Sequence, residues 1–221
     1  YALYPMPLRH GLTIGEMARF YNDVLGIKAN LHVVPMSGWR RDMWFDDAGL
    51  PWVRPSPNLP NLTSALLYPS LVAFESSNLS VGRGTTEAFQ RIGAPWLNAD
   101  SVVRLLEDRG LNGVRFSSER FTPENPGDRK YGGRSIPGVR MTVLNRDRLS
   151  VGRVGAALLW AIARVHGDSL KLTDRGFDLR FGEATARQAL LAGEDPDAVM
   201  DRTLPASIAF QQRAKKYMLY R

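Results

Sequence analysis

Residues 37–62 read "SGWRRDMWFDDAGLPWVRPSPNLPNL", with prolines at 51, 55, 57 and 60 and glycines at 38 and 49. Proline lacks the N–H that helices and ladders need, and glycine disfavours both, so most of this run is irregular. An unstructured connection of such length inside a domain is usually functional. It also divides the sequence into a short leading part, 1–36, and a long trailing part, 37–221. Three tryptophans, Trp39, Trp44 and Trp52, punctuate it. They either line a groove or pin the loop to a core.

The leading part carries one well-marked helix. In "LTIGEMARFYNDVLG" (12–26), Thr13 stands three residues before Glu16, the pattern of a capping box. Ile14, Met17, Ala18 and Tyr21 fall at helical spacing, and Gly26 supplies a stop. "LHVVPM" (31–36) then reads as a short strand, giving a helix-then-strand unit of α/β type. In the trailing part, 64–74 reads as a turn of helix and a strand with Pro69 between them. Residues 101–110 and 152–167 read as helices, 113–123 and 136–145 as strands, and 183–203 with 205–220 as a helical tail. The expected fold class is α/β, a mixed sheet with helices.

Composition narrows the chemistry. The 221 residues include no cysteine, which removes disulfides, thiolate catalysis and iron–sulfur clusters. No run approaches the roughly 20 apolar residues of a membrane-spanning helix, so no membrane span is expected. The net charge of +7 is spread over pairs such as Arg40-Arg41, Arg129-Lys130 and Lys215-Lys216. Without a block of like charges, a nucleic-acid partner is not expected, while a general attraction to acidic ligands is.

The most concentrated polar motif is "FESSNLSVGRGTT" (74–86). Its "GRGTT" invites a nucleotide, but no G-x-x-x-x-G-K-[ST] string occurs. A dinucleotide fingerprint fails as well, because Glu87 stands where the third glycine belongs and would oppose the phosphates. His10, His32 and His166 are scattered, so no metal is expected, and no serine sits in a G-x-S-x-G elbow. No cofactor is expected either. Carboxylate chemistry remains. Glu75, at the expected end of a buried strand, is a candidate general acid, with Asn78 and Arg83 beside it to orient a sugar or an anion. The plainer reading is that Glu75 caps a turn and Arg83 neutralises it. Glu16 likewise has a plain use in its capping box.

Taken in order, "PLRHGLTIGEMARFYN", "GWRRDMWFDDAGLPWVRPSPNLPNLTSALLYP", "FESSNLSVGRGTTEAFQRIGAPWL" and "GVRFSSERFTP" resemble the exo-acting β-N-acetylmuramidase family of bacterial glycoside hydrolases. The resemblance covers nearly the whole chain. It implies removal of terminal N-acetylmuramic acid from peptidoglycan fragments during cell-wall turnover, in the periplasm or outside the cell. It also implies a Rossmann-like domain joined to a C-terminal auxiliary domain, with the cleft near their junction. Residues 1–36 would then end the Rossmann-like, cleft-forming region, and 37–221 would form the auxiliary domain with its cleft loops. Because family members carry the Rossmann-like portion ahead of "PLRHG", the chain reads as the C-terminal part of a longer protein, completed by an N-terminal segment or a companion chain. The catalytic candidates implied are Glu75 and Glu16. Arg9, His10, Ser56, Asn58, Asn78 and Arg83 are the implied substrate contacts. The family often has glycine where this chain has Ser70 and Ser76, two side chains expected to narrow the pocket. The alternative is a wall-binding module that holds muropeptides without cleaving them.

Overall fold

In the computed structural model, which describes residues 4–220, the Thr13 pattern does start a helix, α1 (Ile14–Val24). The Thr13 N–H donates to Glu16 Oε2 at 2.8 Å and the Glu16 N–H returns to Thr13 Oγ1 at 3.4 Å. The helix belongs to a unit made of residues 4–52 and 203–220. That unit also holds α8 (Leu204–Ala214), followed by a 3₁₀ turn at Lys215–Tyr217. Its core is small: Leu12, Phe20, Phe210, Ala214 and Tyr217, with Tyr4, Met6, Met17 and Tyr21 packed around them. The apolar stripe of α1 therefore buries itself against the last helical segment of the chain.

One expectation for this unit changes. Residues 31–36 form no ladder, because no other strand lies beside them among the described residues of the unit. The proline-rich run is irregular as expected, apart from one 3₁₀ turn at Phe45–Ala48 whose start is held by the Trp44 N–H donating to Asp47 Oδ2 at 2.8 Å. Trp39 meets the Tyr220 ring edge-on and so ties the loop to the chain's last residues, while Trp52 meets Phe45 within the loop itself.

The other unit, residues 53–202, holds the larger core. Its three strands, β1 (Arg91–Gly93), β2 (Val114–Phe121) and β3 (Ile136–Val143), form a sheet in the order β1-β3-β2. Both ladders are antiparallel, with Ile92 opposite Val139 and Phe116 opposite Met141. Val114 and Phe116 are buried while Arg115 and Ser117 face out, which gives the first half of β2 its alternation. The helices are α2 (Leu62–Leu71), α3 (Ala99–Glu107), α4 (Val151–His166), α5 (Asp174–Phe181), α6 (Ala184–Leu191) and α7 (Pro196–Asp201). The middle of α4, from Val154 to Leu159 and again at Ala161 and Ile162, is buried, and α2, α3, α6 and α7 pack against it. Among the described residues no helix is long and apolar enough to cross a membrane.

The stretch expected as helix-turn-strand over 64–74 is instead α2 followed by a 3₁₀ turn, Val72–Ser76. Asn61 caps it, accepting from the Ser64 N–H at 2.9 Å. Pro69 lies inside the helix, where it removes one backbone bond and ordinarily costs about 3 kcal/mol. Packing outweighs that cost. Leu66, Leu67 and Leu71 are buried, and the Ser70 hydroxyl donates to the Val151 carbonyl on α4 at 2.8 Å. A methyl group on Gly155 would come within 2.8 Å of the Ser70 carbonyl, so this glycine permits the close approach of α2 and α4. Ser70 is thus a helix-packing residue.

At the end of α4, the His166 Nε2 accepts the Asn98 N–H at 2.7 Å, and its ring lies edge-on to Trp96. Asn98 in turn caps α3 through the Ser101 N–H at 3.0 Å. Burial pushes the His166 imidazole below its ordinary value. The unfolded chain therefore takes up this proton at a higher pH than the folded chain does. Stability tied to His166 is complete above about pH 6.5 and declines as pH falls through the lowered value. An NMR titration of the His166 ring is expected to give a midpoint below that of a free histidine. His166→Gln, which keeps an acceptor but does not titrate, should flatten the fall in unfolding free energy between pH 7 and 5. A normal or raised midpoint would contradict this account.

Candidate functional site

The "GRGTT" segment is a turn whose glycines serve the fold. Both Gly82 and Gly84 have positive φ, at 76° and 80°. A methyl group on Gly84 would lie 2.5 Å from the Glu124 carbonyl oxygen, and the Glu124 N–H donates to the Gly84 carbonyl at 2.8 Å. Thr85 closes the turn by donating its N–H and hydroxyl to the Gly82 carbonyl. Glu87 pairs with Arg140 and Arg91. The hydrogen bonds from Arg140 hold its carboxyl below the usual carboxylate range despite some burial.

Upstream of that turn, Glu75 lies in the 3₁₀ turn after α2, not at a strand end, because the apolar run before it is helical. Its carboxylate is 16% exposed. Oε1 accepts from the Arg83 Nε at 2.6 Å, and Arg180 of α5 stands 4.0 Å from Oε2. Arg180 is held in turn by the Ser76 hydroxyl at 2.8 Å and the Gly176 carbonyl at 2.9 Å. Ser76 therefore carries an arginine toward the carboxylate. Beneath them, the Lys130 Nζ donates to the carbonyls of Glu75 at 3.0 Å and Leu79 at 2.9 Å. Burial lowers the Lys130 ammonium, and Asp128 and Glu75 partly offset it. Burial raises the Tyr68 phenol, and the charge of Glu75 adds to that. Three cations thus surround Glu75, and they still outnumber the carboxylates when Asp128 is counted.

The other expected residues of this unit have structural partners. Asn78 spends both ends of its side chain on the backbone, donating to the Ser169 carbonyl at 2.8 Å and accepting from the Lys171 N–H at 2.9 Å. The Tyr131 hydroxyl donates to the Asn78 carbonyl at 2.6 Å. Asn78 thereby holds the loop that carries Glu75. Ser56 and Asn58 form a turn in which the Ser56 hydroxyl accepts the Asn58 N–H at 3.3 Å.

Arg9, His10 and Glu16 belong to the unit of residues 4–52 and 203–220. Arg9 is exposed. The His10 Nδ1 accepts from the Leu12 N–H at 3.1 Å, and burial lowers this imidazole too. Glu16 is fully buried. Its oxygens accept from the N–H groups of Thr13 at 2.8 Å and Leu219 at 2.7 Å and from Arg41. Burial alone would raise its carboxyl, but these donors together hold it below the usual carboxylate range. Among the described residues no group of three histidine, aspartate or glutamate side chains is placed to hold a metal ion.

Sequence reasoning missed Arg180, Lys130 and Tyr68. Lys130 sits 55 residues from Glu75, and Arg180 sits 104 residues from Ser76. Only Lys130 left a trace, as half of a basic pair in a glycine-rich loop.

Comparison with known proteins gives a consistent answer. The family profile described as exo-beta-N-acetylmuramidase NamZ, C-terminal, matches residues 66–220, and its N-terminal counterpart matches residues 1–63. The curated peptidoglycan beta-N-acetylmuramidase NamZ of Bacillus subtilis is 35% identical over 219 residues, covering 99% of this chain and 52% of that protein. Two crystal structures of DUF1343 family proteins from Bacteroides fragilis, each 26% identical, align over 99% of this chain. Their TM-scores are 0.86 and 0.73, and 59% and 58% of their own chains are covered. The chain thus spans about half the length of its curated relative.

Proposed function

The chain belongs to the exo-beta-N-acetylmuramidase NamZ family, and from that premise we propose that it supplies part of a glycoside hydrolase that removes terminal N-acetylmuramic acid from peptidoglycan fragments. Cell-wall turnover is then its role, and the reading implies work in the periplasm or outside the cell. The observation that carries it is the cluster of Arg83, Arg180 and Lys130 around Glu75. Muramic acid differs from glucosamine by a lactyl ether that ends in a carboxylate. A site with more cations than carboxylates suits that group, and arginine matches its planar geometry.

Glycoside hydrolysis ordinarily uses two carboxyl groups flanking the bond. Glu75, which accepts hydrogen bonds here, fits the base or nucleophile better than the acid. Glu16 has its oxygens committed to the fold and serves to hold residues 4–52 and 203–220 together. The second carboxyl would come from chain that residues 1–221 do not span, in the Rossmann-like portion that the family resemblance implies. The committed Glu75–Arg83 pair also favours a second reading, a module that grips muropeptides while another chain cuts them.

The test uses a chimera in which residues 1–221 replace the matching stretch of the Bacillus subtilis relative. Calorimetry should show tighter binding of N-acetylmuramic acid than of N-acetylglucosamine. Losing a charge-assisted hydrogen bond costs about 1.5–3 kcal/mol. Arg83→Gln should therefore weaken N-acetylmuramic acid by about tenfold or more while leaving N-acetylglucosamine unchanged. An equal effect on both sugars, or on neither, would overturn the assignment of the lactyl carboxylate to this cluster.

A further inference from the structure

The loop between β2 and β3, residues 122–135, turns a lysine inward at a conformational cost. Arg129 and Tyr131, on either side of Lys130, have positive φ, at 59° and 56°. Side chains ordinarily avoid that region, at about 1–3 kcal/mol each. A lysine in a surface loop ordinarily stays in water. Here the half-buried Lys130 Nζ donates to the carbonyls of Leu79 at 2.9 Å and Glu75 at 3.0 Å, and more distantly to that of Phe74 at 3.5 Å. The Tyr131 hydroxyl takes the Asn78 carbonyl at 2.6 Å. Two consecutive side chains thus hold the carbonyls of Phe74, Glu75, Asn78 and Leu79.

Carbonyl oxygens that converge on one point repel one another unless a positive charge sits among them. Gathered this way, they form the kind of ligand set that replaces the water shell of a monovalent cation. Burial works against the Lys130 ammonium, and the charge of Asp128, whose Oδ1 accepts the Lys130 N–H at 3.3 Å, works for it. An ammonium has three N–H donors, and three carbonyls use them here. Lys130 therefore adds charge beneath the site with no donor left for a ligand. We propose that Lys130 is a tethered cation: its ammonium fills a monovalent-cation cage made by the backbone of residues 74–79, and so fixes the Glu75 carboxylate in place without touching substrate. This rests on the reading of Glu75 as the centre of the site, and it makes Lys130 a positioning residue. Removing the side chain while leaving its space open should create a protein that needs a soluble cation.

Hydrogen exchange on residues 1–221 tests the cage without reference to activity. The Ser77 N–H donates to the Phe74 carbonyl at 3.0 Å and the Leu79 N–H to the Ser77 Oγ at 3.0 Å, so these two amides report on the loop. Lys130→Ala, in a buffer whose cation is tetramethylammonium, should speed their exchange by about tenfold or more, the equivalent of one charge-assisted hydrogen bond. n-Propylammonium, which matches the atoms removed, should restore slow exchange, and potassium should restore part of it. Lys130→Met fills the same space without charge, so it should exchange as fast and respond to neither ion. Equal protection in the unaltered protein and Lys130→Ala would overturn the proposal. So would the same ion response in both variants, the behaviour of an ordinary loop anchor. Where Lys130→Ala does not fold in tetramethylammonium, n-propylammonium should fold it, and a chain unfolded in every cation would also overturn the proposal. In the chimera, Lys130→Ala should lower kcat for a chromogenic N-acetylmuramide, with KM within about twofold, and n-propylammonium should restore kcat. A raised KM with kcat intact would make Lys130 a substrate contact and overturn the assignment. Rescue of exchange in a chimera that cleaves no muramide would uphold the cage and sink the hydrolase reading.

Discussion

Replacing Glu75 by glutamine in the chimera should lower kcat/KM for a chromogenic N-acetylmuramide by about 10²- to 10³-fold, the usual loss when one charge-stabilising group is removed from an active site. The amide preserves the shape of the side chain but neither its charge nor its second acceptor. The carboxylate now accepts from Arg83 and faces Arg180. In the variant those guanidiniums lose their anion, so the substrate's own carboxylate should bind at least as well as before. The split between parameters is therefore the informative result. A fall in kcat with an unchanged or lower KM marks Glu75 as acting on the reaction. An equal rise in KM with kcat intact would make it a binding residue, and near-normal turnover would remove it from the chemistry.

Phe20→Ala should cost about 3–5 kcal/mol, the range for emptying a buried aromatic site. Phe20 is fully buried and touches four rings: Tyr4 at 5.0 Å, Tyr21 at 5.7 Å, Phe210 at 5.5 Å and Tyr217 at 5.2 Å between centroids. Aromatic pairs add about 0.5–1.5 kcal/mol each beyond burial, so the loss should lie toward the upper end. The core of this unit is small, and whole domains are stable by only about 5–15 kcal/mol. Residues 4–52 and 203–220 should therefore lose most of their hydrogen-exchange protection, while β2 and β3 in the other unit keep theirs. A loss under about 1 kcal/mol would mean that these rings do not form the core of the unit.

What the sequence disclosed follows from the range of the interactions involved. The α1 capping box depends on residues three apart and is visible at once. The alternation of β2 and the long apolar α4 carry their own periods. The helix α2 is not legible in the sequence because it is apolar over most of its surface and contains Pro69, so no period distinguishes a buried helix from a buried strand. The same ambiguity puts Glu75 at a strand end in the sequence pattern, whereas it lies in the 3₁₀ turn after α2. Residues 31–36 show the opposite case. Their pattern is that of a strand, but a ladder needs a neighbour that these residues lack here. The candidate site was half visible for the same reason. Glu75 and Arg83 share one loop, whereas Arg180 and Lys130 arrive through packing that no local pattern encodes. Asn78 is expected from the sequence as a substrate contact and Glu16 as a catalytic carboxylate, and the structure gives both fold-holding bonds that a string of letters does not reveal.

Turnover by the unaltered chimera tests the central claim most directly. Chromogenic β-glycosides of N-acetylmuramic acid and of N-acetylglucosamine would be offered side by side, at equal concentration and with folding verified by circular dichroism. The account predicts release from the muramide and little or none from the glucosaminide, because only the former carries the carboxylate that the proposal assigns to Arg83 and Arg180. A folded chimera that cleaves neither, or cleaves both at similar rates, would contradict it.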